Sequence, residues 1–494
     1  MMNLKDKKIV VVGLGRTGLA TAGFLHQRGA RVLVTDTAGE KELGDAVDIL
    51  RELGVGIELG PHRAASFQNA DLIVVSPGVS HTIAPLMQAR DRGIPVIGEV
   101  ELASRFIKEP IIAVTGTNGK TTTTELLGRM LKNSGLKVFV GGNIGNPLIE
   151  YVAKGEPAQI VVAEISSFQL DTTETFRPRL CVLLNITADH LDRYPNFEAY
   201  ADSKIRIFKN QQAEDVAVLN GADALVRTKT KQIKSQRLFF PTLEANEQGA
   251  ILNGKRIILS LNKLKGIQST IDSAAFDKLR PRACRGELVA GRIPHSAFRH
   301  QEYLDISKIR LPGRHNLENA AAASLAALAA GAKPESIQNT LDQFEGLAHR
   351  LEHVATIKAV HYFNDSKATN VANVASALAC FSKPVLLIMG GRDKGGDFKA
   401  LEGLVRMHVK NLIVMGEAAD PIRSALGQLK PTSMATSMED AVSTAYQNAG
   451  PEDVVLLSPG CASFDWYSNY AERGDDFRAA VEKLKKRTAN QIRV

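Results

Sequence analysis

The sequence predicts an α/β protein of three domains: a Rossmann-like N-terminal domain, a central P-loop ATPase-type α/β domain and a Rossmann-like C-terminal domain. Three observations carry this. The length of 494 residues accommodates three or four domains at ~150 residues each. Short unbroken apolar runs, as expected of parallel strands covered on both faces, recur along the chain. Each is followed by a glycine-rich or polar turn and then by a helix-forming stretch, the alternation that builds doubly wound sheets.

The first block, residues 1–99, opens KKIVVVGLGRTGLATAGFLHQRGARVLVTD. Ile9–Val12 reads as a buried strand, and Gly13, Gly15 and Gly18 make a G-x-G-x-x-G turn into a helix. Asp36 ends the next strand, about 20 residues on. Glycines at this spacing let the backbone approach a diphosphate at a helix N-terminus. Alone the pattern is shared by nicotinamide and flavin sites, other nucleotide sites and merely tight turns. The run ADLIVVSPGVS repeats the strand-then-glycine-turn pattern.

The second block, residues 100–346, begins with IIAVTGTNGKTTTT. An apolar strand runs into Gly116, Thr117, Asn118, Gly119, Lys120, Thr121 and Thr122. Only two residues separate Gly116 from Gly119-Lys120-Thr121, against four in the common phosphate loop. The chemistry is nonetheless that of a phosphate cradle. Successive N–H groups form an anion nest, Lys120 offers a point charge to β/γ-phosphates, and Thr121 offers a hydroxyl to Mg²⁺. A threonine-rich helix cap is the bland alternative. Glu164 closes the apolar strand of IVVAEISSFQL, where a carboxylate can hold a phosphate-bound metal. A further strand ends at Asn185, with Asp189 and His190 in the loop beyond and Lys204 on a helix after it. Asn316 and Asn319 sit three apart at the start of an alanine-rich helix, on one face of it.

The third block, residues 347–494, alternates strand and helix again. Its polar groups collect at strand ends, where such sheets bind ligands: Asn364–Asn370, Gly390–Lys394 and Ser458–Ser463.

Composition bounds the reading further. Residues 221–310 hold 17 Lys+Arg and 8 Asp+Glu, a net of +9, so that the rest of a chain of net charge +8 carries −1. The stretch 225–310 reads as a basic, solvated variable segment, and its few aromatics argue against nucleic acid. No stretch is apolar enough to span a membrane, and the start has no signal-peptide pattern, so a cytoplasmic protein is expected. Four cysteines lie far apart without a CxxC pair, which argues against zinc or a disulfide framework.

Taken together, TGTNGKT, the order of the blocks, FNDSKATN (363–370), GLGRTG with Asp36, SPGV and LLSPGCASFDWYSNYAERG (456–474) resemble the Mur ligase family over essentially the whole chain. The string FNDSKATN resembles the branch of that family that adds D-glutamate. The resemblance implies an ATP-dependent ligase that joins a carboxylate to an amine in cytoplasmic peptidoglycan precursor synthesis. It implies UDP-N-acetylmuramoyl-L-alanine and D-glutamate as substrates and a monomeric enzyme. By the same resemblance, Thr17, Asp36, Thr37, Gly78 and Asn143 hold the UDP-sugar. The loop Gly116–Thr122 with Asn316, Asn319, Arg350 and Asp365 holds ATP. Thr121, Glu164, His190 and Lys204 serve two Mg²⁺ ions, Lys204 as a carbamate, and Lys120, Glu164, His190 and Lys204 form the catalytic set. Lys367, Thr369, Lys394, Ser463 and Phe464 receive D-glutamate. The segment 225–310 matches no motif of the family, and Arg16 stands where a small or aliphatic residue would also fit beside a uracil.

Overall fold

The computed structural model describes residues 2–155, 157–190, 193–242, 247–261, 300–309, 313–393 and 395–491. Lys394 and much of the basic segment, 262–299, lie outside the described residues. The chain divides into two compact units. One comprises Met1–Lys308 with Glu318–Gln343, and the other Ile309–Leu317 with Phe344–Val494. Among the described residues, no helix is long and apolar enough to cross a membrane.

The first unit contains two sheets. Strands β1 (Lys8–Val12), β2 (Arg31–Asp36), β3 (Gly56–Leu59), β4 (Leu72–Val75) and β5 (Val96–Gly98) form a parallel sheet in the order β3-β2-β1-β4-β5. The order reverses between β1 and β4, so a crevice opens at their C-terminal ends. Gly13 ends β1 there, and the Ser76 hydroxyl after β4 donates to its carbonyl at 2.9 Å. Helix Arg16–Gln27 packs so closely on this turn that a Cβ at Gly18 would lie 1.8 Å from the Gly13 oxygen. Gly13 itself has φ +94°. Two of the three fingerprint glycines are thus required by packing and backbone conformation.

The second sheet is larger. Strands β6 (Ile111–Thr115), β7 (Val138–Gly142), β8 (Ile160–Glu164), β9 (Leu180–Leu183), β10 (Val216–Asn220) and β11 (Gln236–Phe240) are parallel, and all but the half-exposed edge strand β7 are buried for most of their length. β9 ends two residues before Asn185, where the sequence placed its end; Asn185 lies in the loop that begins at Leu184. Beyond β11 the sheet continues through β12 (Gly249–Asn253), β13 (Arg256–Leu261) and β14 (His300–Asp305), which pair antiparallel. The full order is β14-β13-β12-β11-β10-β9-β6-β8-β7. The described parts of the basic segment therefore extend the central sheet. Ala250, Ile257, Leu259 and Leu304 are buried on one face, while Ile251 and Tyr303 are exposed on the other.

The second unit holds one sheet of β15 (Glu352–Ile357), β16 (Val360–Asn364), β17 (Val385–Gly390), β18 (Val409–Met415), β19 (Thr432–Ala435) and β20 (Val454–Gly460). Its order is β15-β16-β20-β17-β18-β19, parallel apart from the edge strand β15. The four central strands are the apolar runs visible in the sequence. β15 and β19 are half-exposed edge strands without such a run.

Candidate functional site

In the first unit, Thr17, Asp36, Thr37, Gly78 and Asn143 line one cleft of about 470 Å³. Its walls are the C-terminal ends of the first sheet and the turn after β7, which carries Gly142, Asn143 and Gly145. The Asp36 carboxylate is already engaged. It accepts from the Leu14 amide at 2.6 Å and the Ala38 amide at 2.8 Å, fastening the glycine turn to the end of β2. The structure thus brings all five residues together.

The shortened phosphate loop lies between β6 and helix Lys120–Asn133. Gly119 has φ +84°, and a Cβ there would fall 2.2 Å from the Asn319 Oδ1 atom. Asn319 therefore packs directly on the loop. Asn185 clamps the loop from the end of the β9 segment: its side chain accepts from the Asn118 amide at 2.8 Å and donates to the Asn118 carbonyl at 3.1 Å. Its carbonyl accepts from the Thr117 amide at 3.0 Å. This role of Asn185 was legible only as a strand end. The Lys120 amine donates to the Gly116 and Thr117 carbonyls at 3.0 and 2.8 Å, folded back along its own loop.

Lys204 reaches the same place from helix Phe197–Ile205. Its amine donates to the Gly116 carbonyl at 2.8 Å and lies 4.7 Å from the Tyr200 ring centroid. Only 2% of the residue is exposed. Burial, reinforced by the Lys120 charge, holds its pKa well below that of an ordinary lysine, against the opposing pull of Asp189, Asp171 and Glu164.

Glu164 is buried at the end of β8. One carboxylate oxygen accepts from the Asn143 amide at 2.8 Å, and the other is buried with no hydrogen-bond partner. A buried carboxylate oxygen left in this state is costly unless a cation completes it. His190 has φ +55° and stacks obliquely on Phe168, with ring centroids 4.8 Å apart. Its Nε2 lies 3.8 Å from the Asp189 carboxylate. Thr121 and Thr122 are buried in the first helical turn. Among the described residues no three His, Cys, Asp or Glu side chains are grouped as a metal site; the Glu164 carboxylate and the Thr121 hydroxyl are each the kind of hard-oxygen group that Mg²⁺ takes.

In the second unit, Asp365 follows β16 and is buried. It accepts from the Ser458 hydroxyl at 3.0 Å and the Leu351 amide at 3.2 Å. Burial nevertheless pushes its pKa up to about 7, the two hydrogen bonds and nearby Arg350 opposing this. Lys367 has its amine 4.9 Å from the Tyr470 ring centroid, and its amide donates to the His349 carbonyl at 3.1 Å. The Thr369 amide donates to the Lys367 carbonyl at 2.9 Å. Ser463 is buried and Phe464 is exposed. Asn316 is buried in the first turn of helix Arg314–Ala329.

One organising residue escaped the sequence reading. Arg473 is fully buried, and its guanidinium donates to Ser366, Cys461, Ala462 and Gly390. The contacts are 3.0 Å to the Ser366 hydroxyl, 2.8 Å to its carbonyl, and 3.1–3.4 Å to the other three carbonyls. One side chain thus ties together the three polar strand-end loops of this sheet. Burial lowers its pKa to about 10. It stands in the string AERG, where an arginine near a helix start reads as an exposed charge.

Residues 7–98 match the model for the MurD-like N-terminal domain of Mur ligases, 114–327 the Mur ligase middle domain, and 349–461 the Mur ligase glutamate ligase domain. The UDP-N-acetylmuramoylalanine–D-glutamate ligase of Desulfosudis oleivorans is 50% identical over 97% of this chain and 97% of its own. That of Geotalea daltonii is 45% identical over 98% and 99%. Among solved structures, the MurF ligase of Thermotoga maritima in complex with ADP superposes with a TM-score of 0.57 at 16% identity, covering 98% of this chain and 100% of that one. The UDP-N-acetylmuramate–alanine ligase MurC of the same organism gives 0.56 at 18% identity, covering 97% and 100%. At such identities the structural likeness is one of fold.

Proposed function

The chain belongs to the Mur ligase family, and from that premise we propose that it joins the L-alanine carboxylate of UDP-N-acetylmuramoyl-L-alanine to the amine of D-glutamate, with hydrolysis of ATP to ADP and phosphate. The observation that supports the reading beyond the family is the near full-length similarity to D-glutamate-adding ligases; the structural link between the two sites of the first unit is Glu164. Its unpartnered buried oxygen lies in the same unit as the phosphate loop, and its other oxygen is bonded to a residue of the UDP-sugar cleft.

The roles follow the blocks 1–99, 100–346 and 347–494 except that Asn143 of the second block joins the UDP-sugar group and Arg350 and Asp365 of the third join the ATP group. Thr17, Asp36, Thr37, Gly78 and Asn143 seat the UDP-sugar in the 470 Å³ cleft. The loop Gly116–Thr122, Asn316, Asn319, Arg350 and Asp365 seat ATP. Lys367, Thr369, Lys394, Ser463 and Phe464 receive D-glutamate, whose two carboxylates call for cations and hydroxyls.

A carboxylate is a poor acyl donor. Its oxygen attacks the γ-phosphorus of ATP, ADP leaves, and an acyl phosphate results. The D-glutamate nitrogen then attacks the carbonyl carbon, loses a proton, and phosphate departs. Phosphoryl transfer of this kind depends on positioning and charge neutralisation. Bound Mg²⁺ supplies neutralisation of the phosphate oxygens; Thr121, Glu164, His190 and Lys204 would hold two such ions. Lys120 adds a fixed positive charge and turns from its loop carbonyls toward the β/γ-phosphates. Lys204, buried beside Gly116 with its amine biased toward the neutral form, is in the state that adds CO₂. The neutral amine nitrogen bonds to the CO₂ carbon and one proton leaves; counted from the ammonium form two protons leave in all, and a +1 group that would repel metal becomes a −1 group that would hold it.

A monomer working in the cytoplasm, where such precursors are made, is part of the same proposal. Hydroxylamine tests the intermediate. With ATP, Mg²⁺ and UDP-N-acetylmuramoyl-L-alanine but no D-glutamate, it attacks an acyl phosphate to give the alanyl hydroxamate and phosphate. Hydroxamate that forms only when ATP is present is expected. ATP-dependent product from D-glutamate without any hydroxamate would contradict the acyl-phosphate route.

A further inference from the structure

Arg16 occupies the first position of helix Arg16–Gln27, after Gly15. A cation there opposes the helix dipole, so helix stability does not explain it. Its side chain instead crosses the UDP-sugar cleft. Nη1 donates to the Gly145 carbonyl at 3.0 Å, Nε lies 3.2 Å from the Glu150 carboxylate, and Nη2 donates to the Asn146 side-chain oxygen. All three partners lie on the turn after β7 or the helix Leu148–Lys154 that follows it.

That turn is a built element. Gly142 and Gly145 take φ of +98° and +58°, and the Gly142 amide closes the turn on the Asn146 carbonyl at 2.9 Å. Between them, Asn143 donates from its backbone to the Glu164 carbonyl and from its side chain to the Glu164 carboxylate, each at 2.8 Å. The guanidinium is therefore joined to one end of a short connected path whose other end is Glu164. Each bond is modest, since the Arg16 side chain is 61% exposed and the ion pair alone contributes little. Their value lies in number and direction. A planar fork making three divergent bonds fixes the turn as a single amine cannot.

We propose that Arg16 is a positioning residue that braces the two walls of the UDP-sugar cleft, holding the Asn143 turn in its ligand-ready form. The proposal rests on the functional reading above. The brace acts through the turn and not through contact with the nucleotide.

Binding of UDP-N-acetylmuramoyl-L-alanine to the full chain is measured first by calorimetry, followed by KM for each substrate. Arg16→Met is expected to raise KM for the UDP-sugar by ~10-fold with kcat held within about twofold, because preorganisation is lost before chemistry is touched. KM for ATP and D-glutamate should stay within about twofold. Arg16→Lys should recover only part of the loss. Asn146→Ala should raise KM by ~5-fold alone and add almost nothing to Arg16→Met, since residues acting through one contact are non-additive. A multiplicative double variant, near ~50-fold, would overturn the brace and place Arg16 on the substrate itself. An unchanged KM in Arg16→Met, or an equal rise for all three substrates, would overturn it as well. Failure of the unmodified chain to bind the UDP-sugar would instead overturn the functional reading, and the brace with it.

Discussion

Replacing Lys204 by alanine is expected to lower turnover by roughly 10³-fold, about 4 kcal/mol of transition-state stabilisation, and added acetate or formate should restore part of it. The argument begins with packing. Lys204 is buried against the Gly116 carbonyl and the Tyr200 ring, within the field of Lys120. A charged ammonium there is disfavoured, and a second cation beside a metal would be repelled. A carbamate resolves both conflicts by turning the group into an oxygen ligand. Alanine leaves a space that a small carboxylate can enter with the same charge. Rescue by acetate but not by methylamine supports the carbamate. Rescue by methylamine alone would assign the role to the amine, and full activity without any additive would remove Lys204 from the mechanism.

The second large effect is expected at Glu164. Glu164→Gln preserves shape and an oxygen for the Asn143 amide, but it removes the charge from the oxygen that has no hydrogen-bond partner. A fall in kcat of roughly 10²–10³ is expected, with the Mg²⁺ concentration for half-maximal activity displaced upward. KM for the UDP-sugar should change little. Circular dichroism and thermal melting control for folding, because a buried amide without an acceptor costs about 1–3 kcal/mol. Wild-type kcat with an unchanged Mg²⁺ requirement would exclude Glu164 as a metal ligand.

How much of this was legible in the sequence varied with the physics of each residue. Backbone requirements were plain. Gly13, Gly18 and Gly119 stand where a side chain would meet Gly13, Val79 or Asn319 atoms, and such demands leave glycines at fixed spacings. Strands buried on both faces announced themselves as apolar runs. Strand-end polar residues were found because sheets of this type place ligands there; of the five residues that meet in one cavity, Asp36 was legible that way, while Thr17, Thr37, Gly78 and Asn143 followed only from the family resemblance. Other features depend on distant partners. Arg473 looks like any helical arginine until it is seen bonded to Ser366, 107 positions away. The reach of Arg16 across to Glu150 spans 134 positions and follows no local pattern. The antiparallel extension β12–β14 was missed because its charge dominated the reading. Its alternation of buried Ala250 and Ile257 with exposed Ile251 and Tyr303 is the ordinary signal of a half-covered sheet.

The most direct test of the central claim is phosphate release from ATP with Mg²⁺ and UDP-N-acetylmuramoyl-L-alanine, run in parallel with D-glutamate, L-glutamate, D-aspartate, L-lysine and meso-diaminopimelate. Release that requires both the UDP-sugar and D-glutamate, with the other amino acids near background, is the predicted result. Release driven by another of these amino acids, with D-glutamate inert, would contradict it.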